Sequence, residues 1–170
     1  LRELVSWRRP HVTPLVPGVL LADGSFLAVQ RMTDIGELSE QQLLLTHSLW
    51  GHLKWPWNQV RALLVAPPAD RLQQTRLRDE LARTLGTTDQ LWLDNGDRLE
   101  GELASLSGRS VVFRVGGQTA TVELDRVRAL LPNPSLRMAS PSDHKCVLVG
   151  LRDGSQLQVN RLEIREGSLR

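Results

Sequence analysis

The residues of this 170-residue chain best suited to chemistry gather in one stretch, Trp50-Gly51-His52-Leu53-Lys54-Trp55-Pro56-Trp57. Indole faces beside an ammonium and an imidazole can stack on sugar rings or nucleobases, so glycan and nucleic acid are the two ligand classes to weigh. Near the N-terminus, Trp7-Arg8-Arg9-Pro10-His11 sets two guanidinium groups beside an anchoring ring, a pair able to touch phosphate. The four histidines, His11, His47, His52 and His144, have no metal-ligand spacing with one another or with the single cysteine, Cys146. His47 and His52 lie five residues apart across an expected turn and can approach, yet two imidazoles lack a third ligand. A lone cysteine excludes an internal disulfide, and because Cys146 opens the apolar run Cys146-Val147-Leu148-Val149 it reads as a small buried hydrophobe. No phosphate-cradling glycine loop, nucleophile elbow or Ser/His/Asp order is present. The expectation is a non-catalytic chain that carries no cofactor.

Those residues are positioned by a repeat. Three phrases recur: Leu21-Ala22-Asp23-Gly24-Ser25-Phe26-Leu27, Leu93-Asp94-Asn95-Gly96-Asp97-Arg98-Leu99 and Leu151-Arg152-Asp153-Gly154-Ser155-Gln156-Leu157. Asp-Gly or Asn-Gly between apolar residues is a hairpin signal, and a two-residue type I′ turn is expected at each. The first copy ends Gln59-Val60-Arg61-Ala62-Leu63-Leu64 and the second Arg126-Val127-Arg128-Ala129-Leu130-Leu131. Between turn glycine and closing valine the first copy is five residues longer, which predicts one loop insertion around residues 33–40. In the second copy the strands are expected near 90–94, 97–106, 109–115, 118–124 and 126–131, with turns at Gly108 and Gly116-Gly117. The third copy begins at Cys146 and stops after about two strands. With Leu1 in place of a methionine, this leads to the expectation of an excerpt from a longer polypeptide.

The repeat also sorts the aromatic residues. Aligning Val60 with Val127 sets Trp57 opposite Leu124, Trp55 opposite Val122 and Leu53 opposite Ala120. Residues 53, 55 and 57 share one strand face, and apolar counterparts assign Trp55 and Trp57 to the core. Pro56 falls on the outer face, which suggests an edge strand or a bulge. Trp50 falls near Gly117, at a turn, and is therefore the aromatic best placed for a partner, with His52 and Lys54 beside it; Arg8 and Arg9 complete the candidate set. Trp92 aligns with Leu20 and is expected at a buried barrel edge. One helix interrupts the strands: Asp70 is a natural N-cap after Pro67-Pro68, Gly86 a natural stop, and Leu77, Leu81 and Leu85 form an apolar stripe.

In the second copy, Leu93-x-x-Gly96-x-x-Leu99-x-Gly101-x-Leu103 resembles the first motif of the Sm-like small barrels, and Val127-Arg128-Ala129-Leu130-Leu131 resembles the second. The first copy resembles them more loosely, with Val29 where Gly101 stands. The resemblance implies a strongly bent five-stranded sheet, often with a helix in front. The base-holding Asp and Asn of that family fall near Ser107 and Val111 here, and its Arg-Gly pair is replaced by Arg128-Ala129 and Arg61-Ala62, so the fold carries over and the ligand does not. The Asp-Gly hairpin, Gly-x-Leu strand and closing Val-Arg-Ala-Leu strand also resemble repeats in large secreted or envelope-associated proteins of planctomycete-type bacteria. That likeness implies an envelope or secreted setting in preference to the cytoplasm.

The expected architecture is mainly β: an N-terminal arm (1–18), a first small Sm-like/SH3-like barrel (19–68), a linking helix (69–86), a second barrel (87–134), then a connection and truncated third hairpin (135–170). Net charge is only +2, with 19 Arg against two Lys, so a polyanion partner has little electrostatic support. No run of residues is long and apolar enough to span a membrane. Expected function is structural or protein-interacting within a larger bacterial protein, the partner being another protein, further repeats or a second copy. Nucleic-acid binding and carbohydrate binding are the alternatives.

Overall fold

The structure, a computed structural model, describes residues 16–29, 35–39, 42–137, 147–162, 164–165 and 168–169. Trp7, Arg8, Arg9, His11, His144 and Cys146 lie outside them. The strands follow in chain order as β1 (Gly18–Leu21), β2 (Phe26–Ala28), β3 (Ile35–Ser39), β4 (Gln42–His47), β5 (Gly51–Pro56) and β6 (Val60–Leu64). Helix α1 (Arg71–Arg83) comes next, then β7 (Asp89–Leu93), β8 (Arg98–Leu106), β9 (Ser110–Val115), β10 (Gln118–Glu123) and β11 (Val127–Leu131). The chain ends with β12 (Val147–Gly150), β13 (Gln156–Val159), β14 (Ile164–Arg165) and β15 (Ser168–Leu169). The fold is mainly β with a single short helix among the described residues.

Ten strands form one antiparallel sheet in the order β10-β9-β8-β7-β11-β6-β1-β2-β13-β12, while β3-β4-β5 and β14-β15 form separate sheets. Among the described residues these ladders do not close into a barrel, in contrast to the two closed barrels expected. The closing strands β6 and β11 instead pair with each other and join β1, β2 and β6 of the first unit to the five strands of the second in one sheet.

All three Asp-Gly or Asn-Gly phrases make the same turn. Leu21 N–H donates to Ser25 O and Gly24 N–H to Leu21 O; Leu93, Asp97 and Gly96 repeat the pattern, as do Leu151, Ser155 and Gly154. The loop thus holds three residues, and the expected two-residue type I′ turn is corrected to a three-residue turn whose last residue is glycine. At φ +90, +94 and +96° for Gly24, Gly96 and Gly154, a side chain would be strained. The Asp or Asn before each glycine drives this choice, since its side-chain oxygen accepts the N–H of Ser25, Asp97 or Ser155.

The two complete units follow the same order, six strands (β1–β6) against five (β7–β11), with β2 and β3 together standing where β8 does. A 3-10 turn (Trp57–Gln59, Leu124–Arg126) precedes each closing strand, and a bulge between Ile35 and Leu38 is matched by one between Leu103 and Ser105. The single insertion expected from the sequence resolves into two. Ile35 stands six residues after Val29 where Leu103 stands two after Gly101, which places four extra residues there. The β4–β5 turn holds three residues (48–50) where β9–β10 has Gly116-Gly117, which supplies the fifth. In the second unit β8 runs unbroken and curls directly over β9. A Cβ on Gly101 would sit 1.9 Å from Arg114 O, so only glycine allows that crossing. In the first unit β2 and β3 belong to different sheets.

The core reads as the strand pattern dictates. Inner-face residues of both units, among them Val19, Leu43, Leu45, Val60, Leu63, Leu91, Val111, Phe113, Val127 and Leu130, form one buried cluster against which Leu53, Trp55 and Trp57 pack. The closing strands are apolar on both faces because both are covered. Ala62, Leu64, Ala129 and Leu131 face the other way and meet Leu77, Leu81 and Trp92 under α1. Asp70 caps this helix, its Oδ1 accepting Gln73 N–H at 2.9 Å. The expected stripe is one residue too long: α1 ends at Arg83, and Leu85 lies beyond it, 84% exposed. Over the same face, the Arg98 guanidinium covers the Trp92 ring at 4.1 Å and reaches Glu80 at 2.7 Å.

Candidate functional site

The β4–β5 turn divides the expected partner residues. Alternation along β5 turns Leu53 and Trp55 toward the core and leaves His52 and Lys54 exposed on the outer face. His52 Nδ1 lies 3.1 Å from Thr46 Oγ1 across the hairpin. Trp50, 42% exposed in the turn, goes to the opposite side, where its ring stacks on the His47 ring with centroids 4.2 Å apart. His47 and His52 therefore occupy opposite faces of the hairpin, and the triplet Trp50, His52 and Lys54 forms no common surface. Pro56 sits on β5, an edge of the three-stranded sheet, where a missing N–H costs nothing.

What His47 does is set by the third hairpin. Its ring is fully buried, with Nε2 3.0 Å from Ser155 Oγ and 3.2 Å from Asp153 Oδ2. Leu49 N–H donates to Nδ1 at 3.1 Å, so the neutral ring carries its proton on Nε2 and offers it to the serine or the carboxylate. Ser48 Oγ donates to the same Asp153 Oδ2. Ser155 Oγ in turn accepts Ala28 N–H at 2.9 Å, and Ser25 Oγ accepts Gln158 N–H at 2.9 Å. These two bonds are reciprocal: each serine follows a turn glycine, and each serves the residue three places along the other hairpin. Between them β2 and β13 pair at Phe26 and Gln156, which occupy the same position in their copies. The first and third hairpins are thus locked about an approximate two-fold.

Serine, histidine and aspartate meeting at these distances invite a catalytic reading, which the geometry rejects. In a triad the carboxylate orients Nδ1 while Nε2 faces the nucleophile. Here Asp153 and Ser155 compete for Nε2, a backbone N–H occupies Nδ1, and Ser155 is fully buried. Among the described residues no group of three or more His, Cys, Asp or Glu side chains could hold a metal ion.

Burial lowers the His47 pKa from its usual 6.5, with Asp153 opposing more weakly. Protonation would also turn Nδ1 into a donor facing the Leu49 N–H. A histidine with a depressed folded pKa binds its proton more readily when unfolded, so its contribution is complete above pH 6.5 and is lost as pH falls below that value. Chemical denaturation of the native chain between pH 7.5 and 5 is expected to show stability falling with acid, by at most about 1.4 kcal/mol per pH unit from this group. The same series on His47→Gln is expected to be flatter, and because all other titrating groups are common to both, the difference isolates His47.

Cavities also open among the described residues. One of about 270 Å³ is lined by Leu77, Glu80, Trp92, Arg98 and Arg128, between α1 and the β7–β8 hairpin. A larger one, about 580 Å³, is lined by Trp57, Asn58, Asp89, Asn133, Leu136 and Arg137. The Arg137 guanidinium donates to Arg61 O and Pro132 O, and burial with the nearby Arg61 charge lowers its pKa to about 10. Among the described residues, no helix is long and apolar enough to cross a membrane. No family model, curated protein or solved structure matches this chain.

The serine lock was missed in the sequence reading, though its signal was present. The two hairpins that pair both read Asp-Gly-Ser, whereas the one that does not reads Asn-Gly-Asp.

Proposed function

We propose that this chain is a non-catalytic assembly module of a larger bacterial protein, built from tandem units of the Sm-like/SH3-like kind that are opened and joined at their edges, and that it works by protein–protein contact. One observation carries the reading: neighbouring units are joined twice, each time by antiparallel pairing of like strands at like positions. At the β6–β11 seam Leu63 faces Leu130, and at the β2–β13 seam Phe26 faces Gln156. Pairing of equivalent positions is how identical subunits join across a two-fold, and it uses backbone edges that sheets otherwise must protect.

The alternatives find less support in the geometry. Val111, at the base-holding position of the Sm-like motif, is fully buried, as is Ala129 in the second motif. Trp50 spends one ring face on His47 and is parted from His52 and Lys54.

The test is a binding panel on the full chain, read with light scattering across a concentration series. Structured RNA, single-stranded DNA and a polysaccharide panel are expected to leave intrinsic Trp fluorescence and anisotropy unchanged at low salt. Nucleic-acid binding that falls steeply with salt would overturn the reading. So would a polysaccharide response abolished by Trp50→Ala.

A further inference from the structure

The third hairpin repeats the first two in turn, in register and in its core-facing residues. Val149 and Leu151 are buried, as are Val19 and Leu21 in the first unit and Leu91 and Leu93 in the second. It differs at its outer edge. Strand β1 carries β6 there, and β7 carries β11, in both cases a Val-Arg-Ala-Leu-Leu strand. Strand β12 ends the sheet and, among the described residues, pairs only with β13. Its Val147 and Leu148 are 42% and 45% exposed, where the residues matching Leu148, Gly18 and Gln90, are buried.

We infer that the outer edge of β12 is an acceptor site for an extended segment of the Val-Arg-Ala-Leu-Leu type, supplied by a further repeat unit of a partner polypeptide; the inference rests on the assembly reading above. The register is fixed by two internal precedents. Gly18, Val19, Leu20 and Leu21 oppose Leu64, Leu63, Ala62 and Val60, and Gln90 to Leu93 oppose Leu131, Leu130, Ala129 and Val127 in the same way, bulge included. Leu148 then opposes the last leucine, Val149 the one before it, Gly150 the alanine and Leu151 the valine. A second copy of this chain is poorly suited to donate, because its own two such strands lie in the middle of the sheet, buried on both faces. Backbone hydrogen bonds supply the affinity in such strand addition, and alternate apolar side chains the selectivity.

A fluorescent peptide with the sequence of residues 58–66, Asn-Gln-Val-Arg-Ala-Leu-Leu-Val-Ala, tests this against the full chain by anisotropy, with a scrambled peptide as control. Saturable binding of the first peptide alone is expected. Gly150→Pro is the diagnostic variant. Leu151 N–H points to Ser155 on the hairpin side, so by alternation Gly150 N–H points outward, and nothing lies within 4 Å of its Cβ direction. The proline removes an outward donor while sparing the hairpin, which unchanged circular dichroism and thermal midpoint would verify. Leu148→Lys, which charges the edge without touching the backbone, provides a second block. Each is expected to weaken peptide binding at least about tenfold. Absence of binding, or binding equal in wild type and both variants, overturns the inference. Concentration-dependent dimerisation abolished by Gly150→Pro, without peptide binding, would also overturn it by assigning the edge to a second copy, and would leave the assembly reading standing. Nucleic-acid or glycan binding would fell that reading itself.

Discussion

Replacing Leu63 or Leu130 with alanine is expected to cost about 2–5 kcal/mol each, as large-to-small changes at filled core positions do. Both side chains are about 1% exposed and face each other across the β6–β11 pairing at the centre of the ten-stranded sheet. A loss of that size is a sizeable fraction of the roughly 5–15 kcal/mol that holds a domain together. Because the inner faces of both units share one cluster, urea unfolding should stay a single transition whose midpoint moves. Two transitions, with only one displaced by Leu130→Ala, would mean that the units fold separately and that the seam is incidental. The double variant should fall short of the summed single effects, since each residue is part of the other's cavity wall. Leu85→Ala, at an exposed position beyond α1, provides the baseline, within about 0.5 kcal/mol of wild type.

Ser155→Ala should detach the third hairpin from the first. The hydroxyl is fully buried, and its loss leaves Ala28 N–H with no acceptor and His47 Nε2 with Asp153 alone. An orphaned buried donor costs about 1–3 kcal/mol. The local signature is more telling than the total. In hydrogen exchange Ala28 should lose protection in Ser155→Ala, while Gln158 should lose it in Ser25→Ala, by the reciprocal bonds. The second effect should be smaller, because the Gln158–Ser25 bond is only part-buried. Equal protection of Ala28 in wild type and Ser155→Ala would show that the serine does not hold the seam. Detachment should also free Trp50, whose partner ring loses its anchor, and red-shift its emission.

Local elements were legible because each is written in neighbouring residues. In the second copy the strands 98–106, 110–115, 118–123 and 127–131 fall within one residue of the reading from alternation and glycine. Trp55 and Trp57 pack on the core as their apolar counterparts in the repeat implied. Gly101 marks a close backbone approach because no other residue fits beneath Arg114 O. The errors are equally physical. The turns are three-residue loops because the Asp or Asn side chain captures the N–H two residues on, a local bond that outweighs the mirror-image turn. Leu85 left the helical stripe because Thr84 turns its hydroxyl back to Glu80 O as the helix ends.

Residue order alone thus determined a β-rich chain of repeated hairpins with a capped helix between the complete copies, since turn chemistry, alternation and capping act over a few residues. Which edge meets which was settled only by tertiary structure. A strand's unpaired N–H and C=O groups are the same in any sequence, so nothing local distinguishes a barrel closing on itself from two units closing on each other. Burial on both faces decided for the latter, setting Val-Arg-Ala-Leu-Leu against its own copy beneath α1 and sinking His47 under an Asp-Gly-Ser turn 108 residues away.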